Sequence, residues 1–433
     1  MSETDERMEE QVDLVDQTDD LPSPQQEPET GDGAEAIQPE APAKPAPAPK
    51  AVTPRGHAKK PAPAPAAPDP VSRQSLPSPG GQCNVRMGKG AIDGLGREAK
   101  ALAGKPRLAL LLLAGDVRPK LAKKIRRQLA DGEFLLAEAE VEPGAPCREF
   151  SYAGKLLKRM AKAGITSDDV IVAVGDTDVL SLAAFVAGMW CGGTPLVMVP
   201  TDLLGCVEAP LTPRPLDVKG LSDAVRVKAS PKTVICDTAE FDATAGEAVR
   251  SVLALCVATA MADNQNTLNR LIGRADSLAA GDADDMRTQV FDTMKSRARM
   301  AMSSAVAVRQ GLGYGSELAA VMARLVPGAA PSALLAEGMR FASRLAISLE
   351  ESLDIDMVFA QDALLDRLGL HEVPCDLDPF QVAEGLREDR FSHSNRFLLT
   401  VPLGVGKVRL SSVPDDVLID HLTAFCSARR ALL

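Results

Sequence analysis

Two polar turns near the middle of the chain carry residue types that could bind a phosphorylated ligand. The first turn, Gly175-Asp176-Thr177, follows the apolar run at residues 170–174, and the second begins at Thr201 after another apolar run. A glycine and small polar residues between a strand and a helix allow backbone amides to bind phosphate. The spacing predicts strand, turn, helix, strand and second turn, which is the layout of a nucleotide site. Alternatively, the first turn is only a tight connection between a strand and a helix and binds no ligand.

Short apolar runs that alternate with amphipathic segments must hold these turns in place. Strands are predicted at residues 108–115, 133–142, 170–174 and 232–237, and helices at 120–130 and 150–162. Strands that alternate with helices imply a mostly parallel sheet with both faces covered. Ligands bind at the carboxyl ends of the strands in such sheets, so we expect the two turns to lie together.

The chain changes character after about residue 243. Long segments rich in Ala, Leu, Met and Arg have helical periodicity, and a pair of short apolar runs at 397–413 predicts a hairpin. The sequence therefore predicts a disordered tail over residues 1–78, an α/β nucleotide-binding-like domain over 79–242 and an all-α domain over 243–433. We expect a ligand to bind in the cleft between the two domains.

The first 75 residues differ in composition from the rest of the chain. Residues 1–40 contain fourteen acidic side chains against the single Arg7, and residues 41–75 are rich in Ala and Pro, with six basic side chains against Asp69. Neither segment has the apolar content that offsets the cost of ordering a backbone. The tail is either an arm that docks a basic partner or a solubilising extension.

The composition also bears on location and partners. The chain has a net charge of −11 at pH 7, and we expect neither a nucleic-acid nor a membrane partner. No apolar run approaches the roughly 20 residues that span a bilayer, and the start of the chain lacks the basic and apolar regions of a signal peptide. Eight cysteines without a CxxC pair indicate a reducing compartment. We therefore expect a cytoplasmic protein.

The two turns belong to longer motifs that resemble those of the dehydroquinate synthases, members of the sugar-phosphate cyclase family. That family carries GGGVVGDLAGF and then PTTLLAQVDSSVGGKTG, where this chain has VGDTDVLSLAAF and PTDLLGCVEAP. The resemblance extends from about Val85 to about Leu422. It implies a Rossmann-like N-terminal domain and an all-α C-terminal domain. It also implies a lyase of the shikimate pathway of aromatic amino acid biosynthesis, which uses NAD and a metal to eliminate phosphate from a heptulosonate phosphate.

The resemblance assigns cofactor-binding positions to this chain, and some of these positions hold residue types that differ from those of the family. Aligning residues 182–185 with the family's LAGF places Gly175 on the first glycine of the run. Asp176 and Thr177 fall on the next two glycines, and Thr201 keeps its place in the PTTLL motif. These four residues are the candidate cofactor-binding residues. A side chain at Asp176 would obstruct the approach of a pyrophosphate, and its negative charge would repel one.

Two arginines fall on positions where the family has lysines that bind anions. Arg214 aligns with the lysine of the second motif, and Arg148 aligns with a lysine that follows an acidic turn. Guanidinium groups suit phosphate and carboxylate, so this pair could bind a phosphorylated small molecule or a nucleotide. Solvated surface arginines are the alternative interpretation.

The family's metal-binding positions hold residues that cannot bind a metal. In the family, one glutamate and two histidines hold a divalent ion, usually zinc, that acts as a Lewis acid. The histidine positions align with Leu312 and Pro331, and the glutamate falls near Val249, two positions from Glu247. The histidines of this chain are His57, His371, His393 and His421, without an HxxxH or HxH pair. We therefore expect no catalytic residues, no metal and no bound NAD.

Two functions from different classes remain open. The first is a pseudoenzyme, a binding or regulatory protein that keeps the dehydroquinate synthase-like fold without its catalysis. The second is an active 3-dehydroquinate synthase, with NAD and zinc as cofactors, which holds if the register of the alignment is wrong or another mechanism replaces the metal. Members of the family are commonly dimers, so a homodimer is the expected assembly. Metal content and phosphate release distinguish the two functions.

Overall fold

The structure, a computed structural model, describes residues 71–105, 107–243, 245–350 and 354–433. Residues 1–70 of the predicted tail, including His57, lie outside the described residues. The predicted end of the tail at residue 78 is wrong, because Val71–Ser78 forms a strand that pairs antiparallel with its neighbour. Its polar composition and Pro77 obscure the strand in the sequence, although proline is tolerated in an edge strand.

The described part of the chain contains the following elements. The strands are β1 (Val71–Ser78), β2 (Gly81–Gly88), β3 (Leu108–Ala114), β4 (Leu135–Val141), β5 (Val170–Gly175), β6 (Leu196–Pro200), β7 (Leu216–Val218), β8 (Leu221–Val225), β9 (Thr233–Asp237), β10 (Leu398–Pro402) and β11 (Val408–Ser412). The helices are α1 (Leu95–Ala103), α2 (Pro119–Asp131), α3 (Ala145–Arg148), α4 (Phe150–Ala163), α5 (Thr177–Met189), α6 (Leu203–Val207), α7 (Glu247–Asp263), α8 (Gln265–Ala279), α9 (Ala283–Met302), α10 (Val306–Gln310), α11 (Ser316–Leu325), α12 (Pro331–Leu349), α13 (Ile355–Arg367), α14 (Pro379–Phe391) and α15 (Asp415–Arg430). The predicted strands and helices between residues 108 and 237 are confirmed.

Seven strands form one sheet in the order β1-β2-β9-β6-β5-β3-β4. All neighbours are parallel except β1 and β2. The chain leaves β3 through α2 to reach β4 on one side, and it leaves β5 through α5 to reach β6 on the other side. The connections therefore diverge between β3 and β5. Open α/β sheets bind their ligands at such a switch point.

Both faces of the sheet are buried, as the continuous apolar runs predict. Alternate residues of β3 show this, because Leu110 and Leu112 belong to one core and Ala109 and Leu111 to another. Helices α1 and α2 cover the second of these faces. The other face packs against α4 and α5, and its core continues into the helices that follow residue 247.

The part after β9 is helical apart from the β10–β11 hairpin, so the predicted all-α half with a late hairpin is confirmed. Helices α11, α12, α14 and α15 enclose a core of their own with the hairpin. The described residues nevertheless form one compact unit, and the division at residues 242 and 243 stays a prediction. Among the helices described, none is long and apolar enough to cross a membrane.

Two glycines fix the contact between α11 and α12. A Cβ atom added to Gly338 would lie 1.8 Å from the carbonyl oxygen of Gly315. Gly315 itself has a φ of 81°, a left-handed conformation that favours glycine. The start of α11 therefore lies directly against the backbone of α12. This contact positions the segments that align with the family's metal-binding motifs.

Candidate functional site

A cavity of about 370 Å³ opens at the switch point of the sheet. Its lining residues are Asp116, Val117, Arg118, Leu121, Asp176, Thr201, Asp202 and Glu240, which follow the parallel strands β3, β5, β6 and β9. Asp176 and Thr201 are two of the predicted cofactor-binding residues, and the structure brings them together here. The carboxyl ends of parallel strands are the usual position of a ligand site in such a sheet.

Asp176 covers the start of helix α5 with its own carboxylate. The Oδ1 atom accepts hydrogen bonds from the backbone amides of Asp178, at 3.1 Å, and Val179, at 2.9 Å. The first amides of a helix have no partner within the helix and commonly bind phosphate. The carboxylate of Asp176 thus takes the place that an anionic ligand group takes at such a helix end.

Asp202 repeats this arrangement at the start of the short helix α6. Its Oδ1 atom accepts a hydrogen bond of 2.6 Å from the amide of Gly205. Burial raises the pKa of the Asp202 carboxyl, and the nearby charge of Asp176 raises it further. Burial also raises the pKa of Asp176, with contributions from Asp178 and Asp116. Because these carboxylates repel one another, the cavity disfavours another negative charge.

Asp116, Arg118 and Glu240 complete the polar lining, and the sequence interpretation missed them. Arg118 donates to the Glu240 carboxylate at 2.6 Å, so the positive charge is compensated within the cavity wall. Asp116 lies two residues after β3. It could have been predicted in the same way as the residues after β5, because ligands bind at the carboxyl ends of the strands in such sheets. Glu240 could be placed only once β9 was known to lie beside β6.

Gly175 and Thr177 do not line the cavity. A Cβ atom on Gly175 would lie 2.9 Å from the Cβ of Val179 and 3.0 Å from that of Ala114, so the glycine lets α5 pack closely on the sheet. Thr177 is buried in the first turn of α5, and its hydroxyl has no hydrogen-bond partner among the described residues. Both therefore shape the turn between β5 and α5.

Arg214 is held by two carboxylates. Its guanidinium contacts Asp178 at 3.1 Å and Glu208 at 3.0 Å, and its backbone amide donates to the hydroxyl of Ser181. Burial lowers the pKa of Arg214, but the charges of Glu208 and Asp178 outweigh this effect and raise it. The sequence predicts that Arg214 binds an anion, but two carboxylates of the chain already more than neutralise its positive charge.

Arg148, the second predicted anion-binding residue, also has two acidic partners. Its Nη2 atom contacts Asp223 at 2.6 Å and Asp217 at 3.1 Å. The same nitrogen lies 3.4 Å from the carbonyl oxygen of Pro215. Arg148 is therefore tied to the segment that follows Arg214, and both predicted arginines lie beside one loop and hairpin.

Arg297 is a buried cation that the sequence interpretation missed. It lies on α9 with 4% of its surface exposed, and no carboxylate of the described residues lies within ion-pair distance. Its Nε and Nη2 atoms donate to the hydroxyl of Thr212 at 3.1 and 2.6 Å, and Nη1 donates to that of Thr259 at 3.3 Å. Burial lowers the pKa of Arg297. The guanidinium joins the loop before Arg214 to helices α7 and α9.

Glu247, two positions from Val249 where the family's glutamate aligns, lies beside the segment of Pro331, which aligns with a histidine ligand. The Oε1 atom of Glu247 accepts a hydrogen bond of 2.8 Å from the amide of Ser332, the residue after Pro331. Glu247 also accepts from the hydroxyl of Ser251 and contacts Arg250. The carboxylate thus covers the start of α12. Its other partners come from its own helix.

Leu312 lies towards the opposite end of helix α7. The preceding Gly311 packs against Ala262, and a helix rises about 1.5 Å per residue, which places Ala262 about 20 Å from Val249 along α7. Ligands of one zinc ion must bring their donor atoms to within about 2 Å of it. Leu312 and Val249 are therefore too far apart to mark one metal centre, so the three aligned positions do not all converge on one point, and the alignment of the glutamate stays a prediction.

The described histidines do not replace the missing ligands. The described residues contain no group of three His, Cys, Asp or Glu side chains placed to hold a metal ion. His371 lies near Asp366, His421 contacts the hydroxyl of Ser348, and His393 contacts backbone carbonyl groups. Each of the three has a separate structural environment.

A parallel sheet with a switch-point cavity, followed by a helical half, defines an α/β protein with a second, helical part. Residues 138–251 match the family model of the 3-dehydroquinate synthase N-terminal domain. The chain is 30% identical over 312 residues to the 3-dehydroquinate synthase of Saccharopolyspora erythraea, across 68% of this chain and 80% of that protein. It is 27% identical over 349 residues to the 3-dehydroquinate synthase of Mycolicibacterium vanbaalenii, across 77% of this chain and 93% of that protein. The chain belongs to the 3-dehydroquinate synthase family.

Solved structures of two other proteins have the same fold. A 2-deoxy-scyllo-inosose synthase complexed with carbaglucose-6-phosphate, NAD+ and Co2+ matches with a TM-score of 0.67 at 15% identity, over 81% of this chain and 99% of that one. The 2-epi-5-epi-valiolone synthase ValA of Streptomyces hygroscopicus, with NAD+ and Zn2+ bound, also gives a TM-score of 0.67 at 15% identity, over 80% and 96%. At this identity the likeness establishes the fold alone. It confirms the predicted Rossmann-like domain with an all-α half.

Proposed function

We propose that this member of the 3-dehydroquinate synthase family is a pseudoenzyme, a binding or regulatory protein without metal-dependent catalysis. The observation that carries the proposal is the replacement of both aligned histidine ligands by Leu312 and Pro331, with no alternative ligand cluster in the described residues. Leucine and proline side chains offer no donor atom to a metal. The metal ion that acts as the Lewis acid in the family's chemistry thus has no ligand at either of these two aligned positions.

The polar groups of the switch-point cavity support the same proposal. The pyrophosphate of NAD needs free amides at the start of α5 and a cavity that accepts negative charge. Asp176 already uses two of those amides, and Asp116, Asp202 and Glu240 add carboxylates around it. These residues do not fit a dinucleotide. A ligand of this cavity would have to be uncharged or cationic where it meets the carboxylates.

The alternative function is an active 3-dehydroquinate synthase that acts in the shikimate pathway with NAD and zinc. It is favoured by the 30% identity to the Saccharopolyspora enzyme across 80% of that protein. It requires that zinc be bound by residues other than those aligned with the family ligands. Glu247 would be the first candidate, since its carboxylate lies at the start of α12 beside Pro331.

Metal content tests the proposal. The full chain is dialysed against Zn2+ or Co2+, freed of loose metal and analysed by mass spectrometry, with the Saccharopolyspora enzyme as a positive control. We expect far less than one ion per chain, and no change in the Glu247→Gln variant. One tightly bound ion per chain that is lost in Glu247→Gln would contradict the proposal and establish the alternative.

NAD binding is a second, independent test. A ligand at one hundred times its Kd adds about 2.7 kcal/mol to the free energy of unfolding, and this would appear as a clear rise in Tm. We expect no rise with NAD or ADP at millimolar concentration. A rise that the Asp176→Asn variant enhances would show that the cavity still accepts a nucleotide against the repulsion of its carboxylates.

The remaining partners are proposed from the sequence. We place the protein in the cytoplasm, and its acidic segment at residues 1–40 would dock a basic partner protein by charge complementarity. Removing residues 1–70 should abolish that interaction in a pull-down at low salt. An interaction that survives the truncation would assign it to another surface.

A further inference from the structure

The hairpin formed by β7 and β8 lies over the guanidinium of Arg148. Asp217 in β7 and Asp223 in β8 both contact the Nη2 atom of Arg148, at 3.1 and 2.6 Å. An isolated bridge joins Asp217 to Glu149, the neighbour of Arg148, and so anchors the first strand of the hairpin at the same place. The hairpin thus supplies both carboxylates that contact Arg148.

The contact leaves the guanidinium incompletely satisfied. Nη2 has three acceptors, whereas the buried Nε atom has no hydrogen-bond partner among the described residues. The Nε and Nη2 groups of arginine form a parallel pair of donors that matches the two oxygens of a phosphate or carboxylate. A bidentate oxyanion on this edge would satisfy both nitrogens. The hairpin carboxylates satisfy only one of them.

The hairpin is built as a marginally stable element. Lys219 and Asp223 have φ angles of 47° and 55°, left-handed conformations that cost free energy in residues other than glycine. The pairing of β7 with β8 is irregular between Leu216 and Val218, and a two-stranded sheet alone is marginally stable. Local strain and few partners are features of segments that open at low free energy.

One contact from the helical half holds the hairpin closed. The Nε2 atom of His393, two residues after α14, lies 2.7 Å from the carbonyl oxygen of Ser222. Its Nδ1 atom lies 2.9 Å from the carbonyl oxygen of Asp389, which fixes the ring on the helix end. Together with Arg148, this contact determines the position of the turn of the hairpin.

We propose that the β7–β8 hairpin is a mask that covers an oxyanion site at Arg148, with Asp217 and Asp223 in the place of a ligand's phosphate or carboxylate. Opening of the hairpin removes both carboxylates and exposes the Nε and Nη2 donors of Arg148. The site then takes a phosphorylated or carboxylated small molecule. This inference rests on the proposed function, because it makes the binding site of the pseudoenzyme conditional on the hairpin.

Inorganic phosphate is the probe that tests the mask. The Asp217→Asn/Asp223→Asn variant of the full chain should bind phosphate at least about tenfold more tightly than the unmodified protein in calorimetry, because the competing charges are gone. Adding Arg148→Gln to this variant should abolish the gain. The Asp416→Asn/Asp420→Asn variant makes the same change in net charge on exposed positions of α15 and should show no gain.

Two outcomes would overturn the inference. One is unchanged phosphate affinity in a folded Asp217→Asn/Asp223→Asn variant, and the other is a gain that persists without Arg148. If that variant does not fold, hydrogen exchange of the unmodified protein decides the question. Saturating phosphate should then accelerate exchange of the amides at residues 216–225, and protection that stays the same contradicts the mask. These readouts are separate from metal content, so the mask and the proposed loss of catalysis can fail independently.

Discussion

Single carboxylates at the ends of strands β5 and β6 determine what the switch-point cavity can accept. Asp176 and Asp202 each bind amides at the start of the following helix, where the amides would otherwise be free for a ligand. Burial raises the pKa of both carboxyls, and the charge of Asp176 raises the pKa of Asp202 further. The two carboxylates thus cap helices α5 and α6, while their negative charges still repel each other in the cavity wall.

The repulsion predicts a stabilising substitution. Asp202→Asn keeps an acceptor for the amide of Gly205 and removes a buried negative charge. Because the pKa of Asp202 is raised in the folded state, folding binds protons, and stability from this group falls as pH rises through its raised pKa. The variant should therefore have a higher Tm than the unmodified protein at pH 7. The two proteins should converge as pH falls towards the ordinary range of Asp, and a lower Tm at pH 7 would contradict the account.

Arg297 gives a second prediction for single residues. Thr212→Val removes the hydroxyl that accepts from Nε and Nη2, which leaves donors of a buried cation unsatisfied and should cost about 1–3 kcal/mol. Arg297→Met removes the buried charge itself and should cost less. Urea unfolding of both variants measures the difference. A larger loss for Arg297→Met would mean that the charge of Glu208, which raises the pKa of Arg297 against the effect of burial, stabilises the guanidinium by more than its burial costs.

At the scale of elements, most strands of the sheet could be predicted from the apolar runs of the sequence. The runs before Gly175 and Asp237 are buried on both faces of the sheet, so their strands could be placed to within two residues. Strand β1 could not, because its composition is polar and because its partner β2 joins the sheet only through the distant strand β9. The turn after β5 was also recognisable as a site, whereas Glu240 required the strand order.

The close contact of α11 with α12 makes a sharp prediction. Gly338→Ala would place a Cβ atom 1.8 Å from the carbonyl oxygen of Gly315, so the helices must move apart. We expect a loss of about 3 kcal/mol or more in urea unfolding. Gly154→Ala is the matched control, because its Cβ atom on α4 would meet nothing within 4 Å. That variant should gain about 0.5–1 kcal/mol, and equal effects of the two substitutions would contradict the described packing.

At the scale of the whole molecule, the family fold is retained, and the two arginines predicted to bind anions have acidic partners within the chain. Arg148 and Arg214 could be predicted as a pair from their alignment, and they do lie beside one loop and hairpin. Their acidic partners could not be predicted, because Asp178, Asp217 and Asp223 reach them only through the tertiary fold. The distance between Leu312 and Val249 likewise depends on how a turn packs against α7.

Release of phosphate from the heptulosonate phosphate tests the proposed loss of catalysis most directly. The full chain is assayed with NAD and either Zn2+ or Co2+, beside the Saccharopolyspora enzyme under the same conditions. Because no described ligand cluster can hold the metal, we predict a rate no greater than that without protein. Multiple turnovers per chain that a chelator abolishes would contradict the proposal and identify an active 3-dehydroquinate synthase.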